Sequence, residues 1–282
     1  MTPDYAPKGI GRLIDEAIAV YRAEFRTLAL PAAFLLLPMS LLIALAQASY
    51  LRAVTSAAPA ATDPFEFFVA IGGAYGAFVG AVGLSGLLSL YYFSAVLNAT
   101  PSLMLRRPVE PGAFLKGGWR RFIILWVVSI IVGLAYGVGL LFLLFPGLVI
   151  YAYLSMAEPI IGVEGAPIDV ALRRSVTLVR ENFWRTVGFF VAVFVIVASL
   201  QSALTSVTSV QLILGAIAGG SSGSSVPSFG WQVLGGLLQG VAQTVTLPLF
   251  YVAWLLFYFD LRSRREGMDL LARAQALATR SA

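Results

Sequence analysis

Neither cysteine nor histidine occurs in this 282-residue chain. Without cysteine there is no disulfide, no thiol nucleophile and no thiolate metal site. Without histidine, His-based triads, imidazole proton relays and haem or zinc ligation by His are excluded. Charge is scarce too. Asp, Glu, Lys and Arg make up 12% of the residues, about half of the ~25% found in a soluble domain. Hydrophobic residues supply 59%, which excludes soluble globular, disordered and collagen-like classes. The class that remains is an integral membrane protein.

Four stretches carry no charge at all: residues 27–51, 67–105, 122–157 and 186–259. One helical crossing needs about 20 apolar residues. The first and second stretches each hold one span, the second a long one. The fourth holds two, divided by the glycine-serine loop at 219–227. The third is long for one span and tight for two, with Phe145-Pro146-Gly147 as the plausible turn. Basic residues decide the count. With six spans, groups of four, five, four and five Lys or Arg fall on one side, and only Arg52 falls on the other. The positive-inside rule makes the rich side cytoplasmic, with both termini there. A single span at 122–157 would spoil that bias. Ala46-Gln47-Ala48 has the small-residue pattern of a signal cleavage site. The preceding run is longer than a signal h-region and follows 26 patterned residues, so span 1 is expected to be retained.

An internal repeat accompanies the spans. Ile10, Ile14, Ile18, Tyr21 and Phe25 fall on one face of a helix. A shift of 158 residues places Ile168, Leu172, Val176, Val179 and Phe183 at the same spacing, with Arg22 landing on Arg180. Pro7 and Pro167 stand where helix starts favour proline. Both segments are expected to be amphipathic helices in the membrane interface. A weaker third copy precedes span 3 at Phe114, Leu115, Trp119 and Phe122. The fold is therefore read as an all-α integral membrane protein. It is a six-helix transmembrane bundle with cytoplasmic interfacial amphipathic helices, organised as up to three repeated helical hairpins. As a single transmembrane domain over 1–282 it comprises an interfacial helix at 8–26 and spans near 28–51, 67–100, 121–143, 146–161, 186–217 and 230–259. A second interfacial helix covers 167–184, and a cytoplasmic tail covers 262–282.

Few residues could carry chemistry. Gly72, Gly76, Gly80, Gly83 and Gly86 in span 2 suit close helix packing, within or between subunits, or a pore lining. Span 5 carries Gln201 and Thr205, and span 6 carries Gln239, Gln243 and Thr246. These polar stripes are either helix-to-helix glue or the wall of a cavity, and both readings stay open. Glu158 and Glu164 are candidate functional carboxylates. Asp260 is expected to pair with Arg262 at the interface. Arg22, Arg173, Arg174 and Arg180 form a candidate collar for anionic lipid; pairing of the arginines with Glu164, Asp169 or Glu181 is the competing reading. No Walker phosphate loop, Gly-x-Ser-x-Gly elbow or His-Glu-x-x-His helix occurs, so no catalytic, cofactor-binding or metal residue is assigned. Topology accounts for the basic residues, and no nucleic-acid partner is expected.

Two runs are distinctive: PIDVALRRSVTLVRENFWR at 167–185 and LFYFDLRSRREGMD at 256–269. With Phe145-Pro146-Gly147 and the segment from Glu158 to Glu164, they resemble the bacterial membrane-domain family named after glycerophosphodiester phosphodiesterase. Matching positions are Pro146, Gly147, Pro159, Glu164, Ala171, Ser175, Arg180, Phe183, Tyr258, Asp260 and Arg262. Glu181 and Phe259 depart from the pattern. The resemblance implies a multi-span module of the bacterial inner membrane without the soluble catalytic barrel, which uses His around a metal. The expected function is a non-catalytic membrane module that organises partner proteins or lipids at the cytoplasmic face, with no phosphodiester hydrolysis of its own. Membrane lipids are the expected partners, with other membrane proteins or a homo-oligomer as further ones. The alternative is a small transporter or lipid-handling permease with a polar cavity between spans 5 and 6.

Overall fold

Backbone N–H and C=O groups find no water in hydrocarbon, so an apolar segment pairs them within itself, as a helix does. The computed structural model describes residues 8–59, 63–104, 110–142, 144–218 and 229–266, and none of these forms a strand. Its helices are α1 (Ile10–Ala23), α2 (Phe25–Ala57), α3 (Pro64–Met104), α4 (Pro111–Gly118), α5 (Phe122–Phe142), α6 (Leu144–Leu154), α7 (Ala157–Glu164), α8 (Ile168–Arg180), α9 (Phe183–Ala218) and α10 (Phe229–Glu266). Among the described residues, six segments are long and apolar enough to cross a membrane: α2, α3, α5, the α6–α7 pair, α9 and α10. The loop at 219–227, the tail beyond 266 and Pro7 lie outside the described residues.

The third charge-free stretch does hold two spans. Phe145, Pro146 and Gly147 are not the turn between them, because α6 has begun by Leu144. Pro146 is the third residue of α6. There its missing N–H costs nothing, since the first four N–H groups of a helix have no internal partner. Gly147 lets the two helices of this hairpin approach: a Cβ built on Gly139 would lie 2.7 Å from the Gly147 Cα. The fourth span is two helices, broken at Ser155-Met156.

The order of elements is short helix, span, span, three times over: α1–α3, α4–α7 and α8–α10. The first span of each set starts on phenylalanine, at Phe25, Phe122 and Phe183. Aligned on these, Ala17, Phe114 and Ser175 are all buried. So are Tyr21, Gly118 and Val179; Leu28, Leu125 and Thr186; and Pro31, Val128 and Phe189. The bonds that join each short helix to its span keep this register, from Leu28, Leu125 and Thr186 N–H to the carbonyls of Glu24, Arg121 and Asn182. The buried faces are turned from the expected ones. In α1 the buried line is Leu13, Ala17 and Tyr21, and Phe25 is exposed. In α8 it is Ala171, Ser175, Leu178 and Val179, and Val176 is exposed. In α4 Phe114 is buried but Trp119 is not. Small residues permit close approach, so the packed face runs through Ala17, Gly118 and Ser175 instead of the bulkiest side chains.

Contacts divide the chain into two compact units. Unit 1 comprises Met1–Leu28, Leu90–Ile196 and Pro248–Ala282; unit 2 comprises Ala29–Ser89 and Val197–Leu247. Unit 1 has an aromatic core. Phe93 stacks on Trp254 at 4.9 Å and on Tyr251 at 4.5 Å, and Phe189 stacks on Phe257 at 4.0 Å. Such pairs are worth about 0.5–1.5 kcal/mol each beyond burial. Tyr92, fully buried, donates its hydroxyl to the Leu28 carbonyl at 2.9 Å. In unit 2 the backbones of α2 and α10 meet directly: a Cβ on Gly236 would lie 2.8 Å from the Ala44 Cβ and 3.2 Å from the Leu41 Cα.

Candidate functional site

The C-terminal turns of α10 carry two charged faces. Tyr258, Arg262 and Glu266 recur at four-residue steps and line one; Asp260 and Arg264 line another. The expected Asp260–Arg262 pair is therefore not formed. Residues two apart on a helix do not face each other, whereas residues four apart do.

The first face joins Glu164. That residue ends α7, just before Gly165, whose left-handed φ of 71° closes the helix. A side chain at Gly165 would be strained there, and its Cβ would lie 3.0 Å from the Arg121 guanidinium. Arg121 donates to the carbonyls of Ile161, at 2.8 Å, and Gly162, satisfying the negative end of α7. Glu164 accepts from Arg174 of α8 at 2.5 Å and from the Tyr258 hydroxyl, and lies 3.5 Å from Arg262. Glu266 closes the ring by pairing with Arg262 at 2.7 Å and with Arg174. Two carboxylates, two guanidiniums and one phenol thus tie α7, α8 and α10 together.

The second face is centred on Asp260, which is buried at 5% exposure. Its carboxylate accepts from Arg185 of α9 at 2.8 Å, from Arg264 at 2.9 Å and from the Lys8 backbone N–H at 2.7 Å. Arg185 and Arg264 also donate to the Lys8 carbonyl, and the Lys8 ammonium pairs with Glu16 at 2.8 Å. The start of α1, the start of α9 and the end of α10 are held at one carboxylate. Farther along, Arg265 donates to the Thr177 carbonyl and lies 3.7 Å from Glu181.

Of the four arginines in the expected collar, Arg174 is committed to protein carboxylates. Arg22, Arg173 and Arg180 are exposed, and no side-chain partner is found for them among the described residues. Exposed Trp184, Val170 and Val176 neighbour the free arginines in sequence. Ser175, one residue from Arg174, has a role that charge and periodicity did not signal. Its hydroxyl donates to the Tyr153 carbonyl at 2.7 Å and accepts from the Met156 N–H at 3.1 Å. These groups flank the α6–α7 break, where the helical ladder is interrupted. A small hydroxyl residue on the packed face of α8 was the available sign.

The polar stripe of unit 2 is partly used. The Gln201 amide donates to Thr246 at 3.0 Å, and Thr246 and Thr205 donate back to the carbonyls of Ala242 and Gln201. Gln239 and Gln243 are half-buried, with no hydrogen bond from either side chain among the described residues. Glu158 lies on α7 and accepts from Ser129 of α5 at 2.5 Å. The glycines of α3 pack against nothing: a Cβ on Gly72, Gly76, Gly80, Gly83 or Gly86 has no atom within 4 Å. Burial in α1 pushes the Tyr21 phenol up from its ordinary value of 10 to about 12, and its hydroxyl has no hydrogen-bond partner among the described residues.

No protein-family model, curated protein or solved structure matches the chain. The class follows from the fold itself: an all-α, multi-pass membrane protein.

Proposed function

We propose that the chain is a non-catalytic module of the bacterial inner membrane that organises anionic lipids, and through them partner proteins, at its cytoplasmic face. Both termini lie on that face in this reading, as the distribution of basic residues requires. The observation that carries it is the division of labour among the arginines. Arg174, Arg185, Arg262 and Arg264 are consumed by carboxylates of the chain, while Arg22, Arg173 and Arg180 are left exposed. An exposed arginine on an amphipathic helix, with Trp and Val nearby, matches the chemistry of a headgroup layer. Each basic residue near an anionic surface contributes about 1 kcal/mol, weakened by salt.

The carboxylates support the same reading. Glu164 and Asp260 are each engaged by two arginines, which leaves neither free as a general base. The resemblance to the phosphodiesterase-associated membrane-domain family fits such a role. The alternative, a small transporter, rests on the unpaired amides of Gln239 and Gln243 in the polar stripe.

The test is lipid retention. Replacing Arg22, Arg173 and Arg180 together with Gln lowers the anionic lipid that co-purifies with the protein, read by mass spectrometry, while neutral lipid is unchanged. Equal retention by variant and parent would overturn the proposal.

A further inference from the structure

A carboxylate inside a membrane-crossing segment must be neutralised, because hydrocarbon does not solvate it. Glu164 and Asp260 meet this requirement with arginines of the chain. Glu158 does not. It lies in the crossing formed by α6 and α7, six residues before that crossing ends at Glu164. Its hydrogen-bond partner, Ser129, is seven residues into α5, about 10 Å along the helix. Both positions place the carboxyl below the layer of ion pairs.

Helix α5 supplies the Ser129 hydroxyl, 2.5 Å away. Tyr151 of α6 and Tyr251 of α10 have phenols within reach of the carboxyl's field. Tyr136 of α5 flanks Tyr151 at 5.7 Å, and Phe93 stacks on Tyr251 at 4.5 Å. The nearby arginines are spoken for. Arg121 is held by the carbonyls at the far end of α7, and Arg174 by Glu164 and Glu266. No Lys or Arg pairs with Glu158 among the described residues. The first turn of α7 and the Ser129 hydroxyl offer dipoles, each short of a full charge. The balancing charge must come from solution.

We propose that Glu158, with the Ser129 hydroxyl bonded to its carboxyl, is a binding site for a monovalent cation, either a proton or a sodium ion. The carboxyl takes the charge. The Ser129 hydroxyl stays on one carboxyl oxygen, and the other takes the proton or faces the ion. The site is independent of the lipid reading above, since none of the collar arginines takes part.

The test uses the full chain in vesicles of neutral lipid and a membrane-permeant carbodiimide. The reagent reacts with a protonated carboxyl. The acid's oxygen bonds to the central carbon, its proton passes to one nitrogen, and nothing leaves. Peptide mapping then reads each carboxyl separately. Glu158 is labelled several-fold more than Glu164 or Asp260, and Glu158→Gln removes that label alone. A yield that falls with rising pH and ignores sodium assigns the proton. A yield that falls on adding sodium at fixed pH assigns the sodium ion. Either result supports the site. Absence of label at Glu158 in the folded protein, when the unfolded chain is labelled there, would overturn it. So would a yield indifferent to both pH and sodium.

Discussion

The two compact units share the four long helices α2, α3, α9 and α10, to which unit 1 adds α1 and α4–α8, and they are held together by different physics. Unit 1 uses charge and rings: Asp260 and Glu164 gather five side chains and a backbone N–H between them, above a stack of Phe93, Tyr251, Trp254, Phe189 and Phe257. Unit 2 has rings too, Tyr50 stacking on Phe78 at 6.0 Å, and adds small residues and uncharged polar bonds: Gly236 and Gly240 against α2, and Gln201 on Thr246. Lipid gives no hydrophobic drive between helices, so close packing and hydrogen bonds must supply the attraction in both. Ion pairs demand a setting that offers several partners at once. Unit 1 provides it because its short helices α1, α7 and α8 bring their ends to the end of α10.

The comparison breaks first at Asp260. Asp260→Asn leaves Arg185 and Arg264 without their counter-charge, and removing one partner of a buried pair costs about 3–5 kcal/mol. Thermal unfolding of the purified protein should show the largest loss of any single change considered. A shift no greater than that of a surface substitution would mean that the lattice contributes little.

In unit 2 the contrast is between glycines. Gly236→Ala drives a methyl into Ala44 and the α2 backbone, and overpacking of this kind costs about 1–3 kcal/mol. Gly76→Ala meets nothing within 4 Å and should hold or slightly raise the unfolding temperature of the monomer, since Ala favours a helix over Gly by up to about 1 kcal/mol. Equal effects would remove the distinction between packed and unpacked glycines.

Ser175→Ala sharpens the account of the α6–α7 break. It leaves the Tyr153 carbonyl and the Met156 N–H unsatisfied, a loss of about 1–3 kcal/mol. Ser175→Thr should keep both bonds and recover part of it. Gln201→Leu, which removes one amide-to-hydroxyl bond, costs less, about 0.6–1.7 kcal/mol.

Tyr21→Phe has the smallest effect near neutrality, since the phenol has no partner to lose. Its signature is in alkali. The folded phenol titrates near 12 and the unfolded one near 10. Below 10 both states hold the proton. Above 10 the unfolded state loses it first, so stability falls as pH rises from about 10 to about 12. The Phe variant should lack this component of the alkaline decline in a denaturation series.

Much of the fold was legible because lipid imposes it. Runs without charge had to be helices, and the basic residues counted the spans. The repeat was legible in part. Its period was visible in Arg22 and Arg180, but the buried face was misjudged by choosing the largest apolar residues. Gly118 is small because the Tyr91 carbonyl lies 3.0 Å from where its Cβ would stand, and Ser175 meets the backbone of Tyr153 and Met156; size alone does not announce that. At the site, the charged residues were visible and their partners were not. Arg264 lies four residues after Asp260 and could have been paired by helical spacing. Arg185 and Lys8 could not, because 75 and 252 residues separate them from Asp260. The spacing of Tyr258, Arg262 and Glu266 defines a face, but only the fold brings Glu164 and Arg174 to it.

The central claim is that adjacent arginines on α8 do different work, Arg174 inward on carboxylates and Arg173 outward on lipid. The most direct measurement compares Arg173→Gln with Arg174→Gln for thermal stability in anionic and in neutral bilayers. The account predicts that Arg174→Gln lowers stability equally in both, while Arg173→Gln lowers it in anionic bilayers alone and releases bound anionic lipid. The same behaviour from the two variants, in either direction, would contradict it.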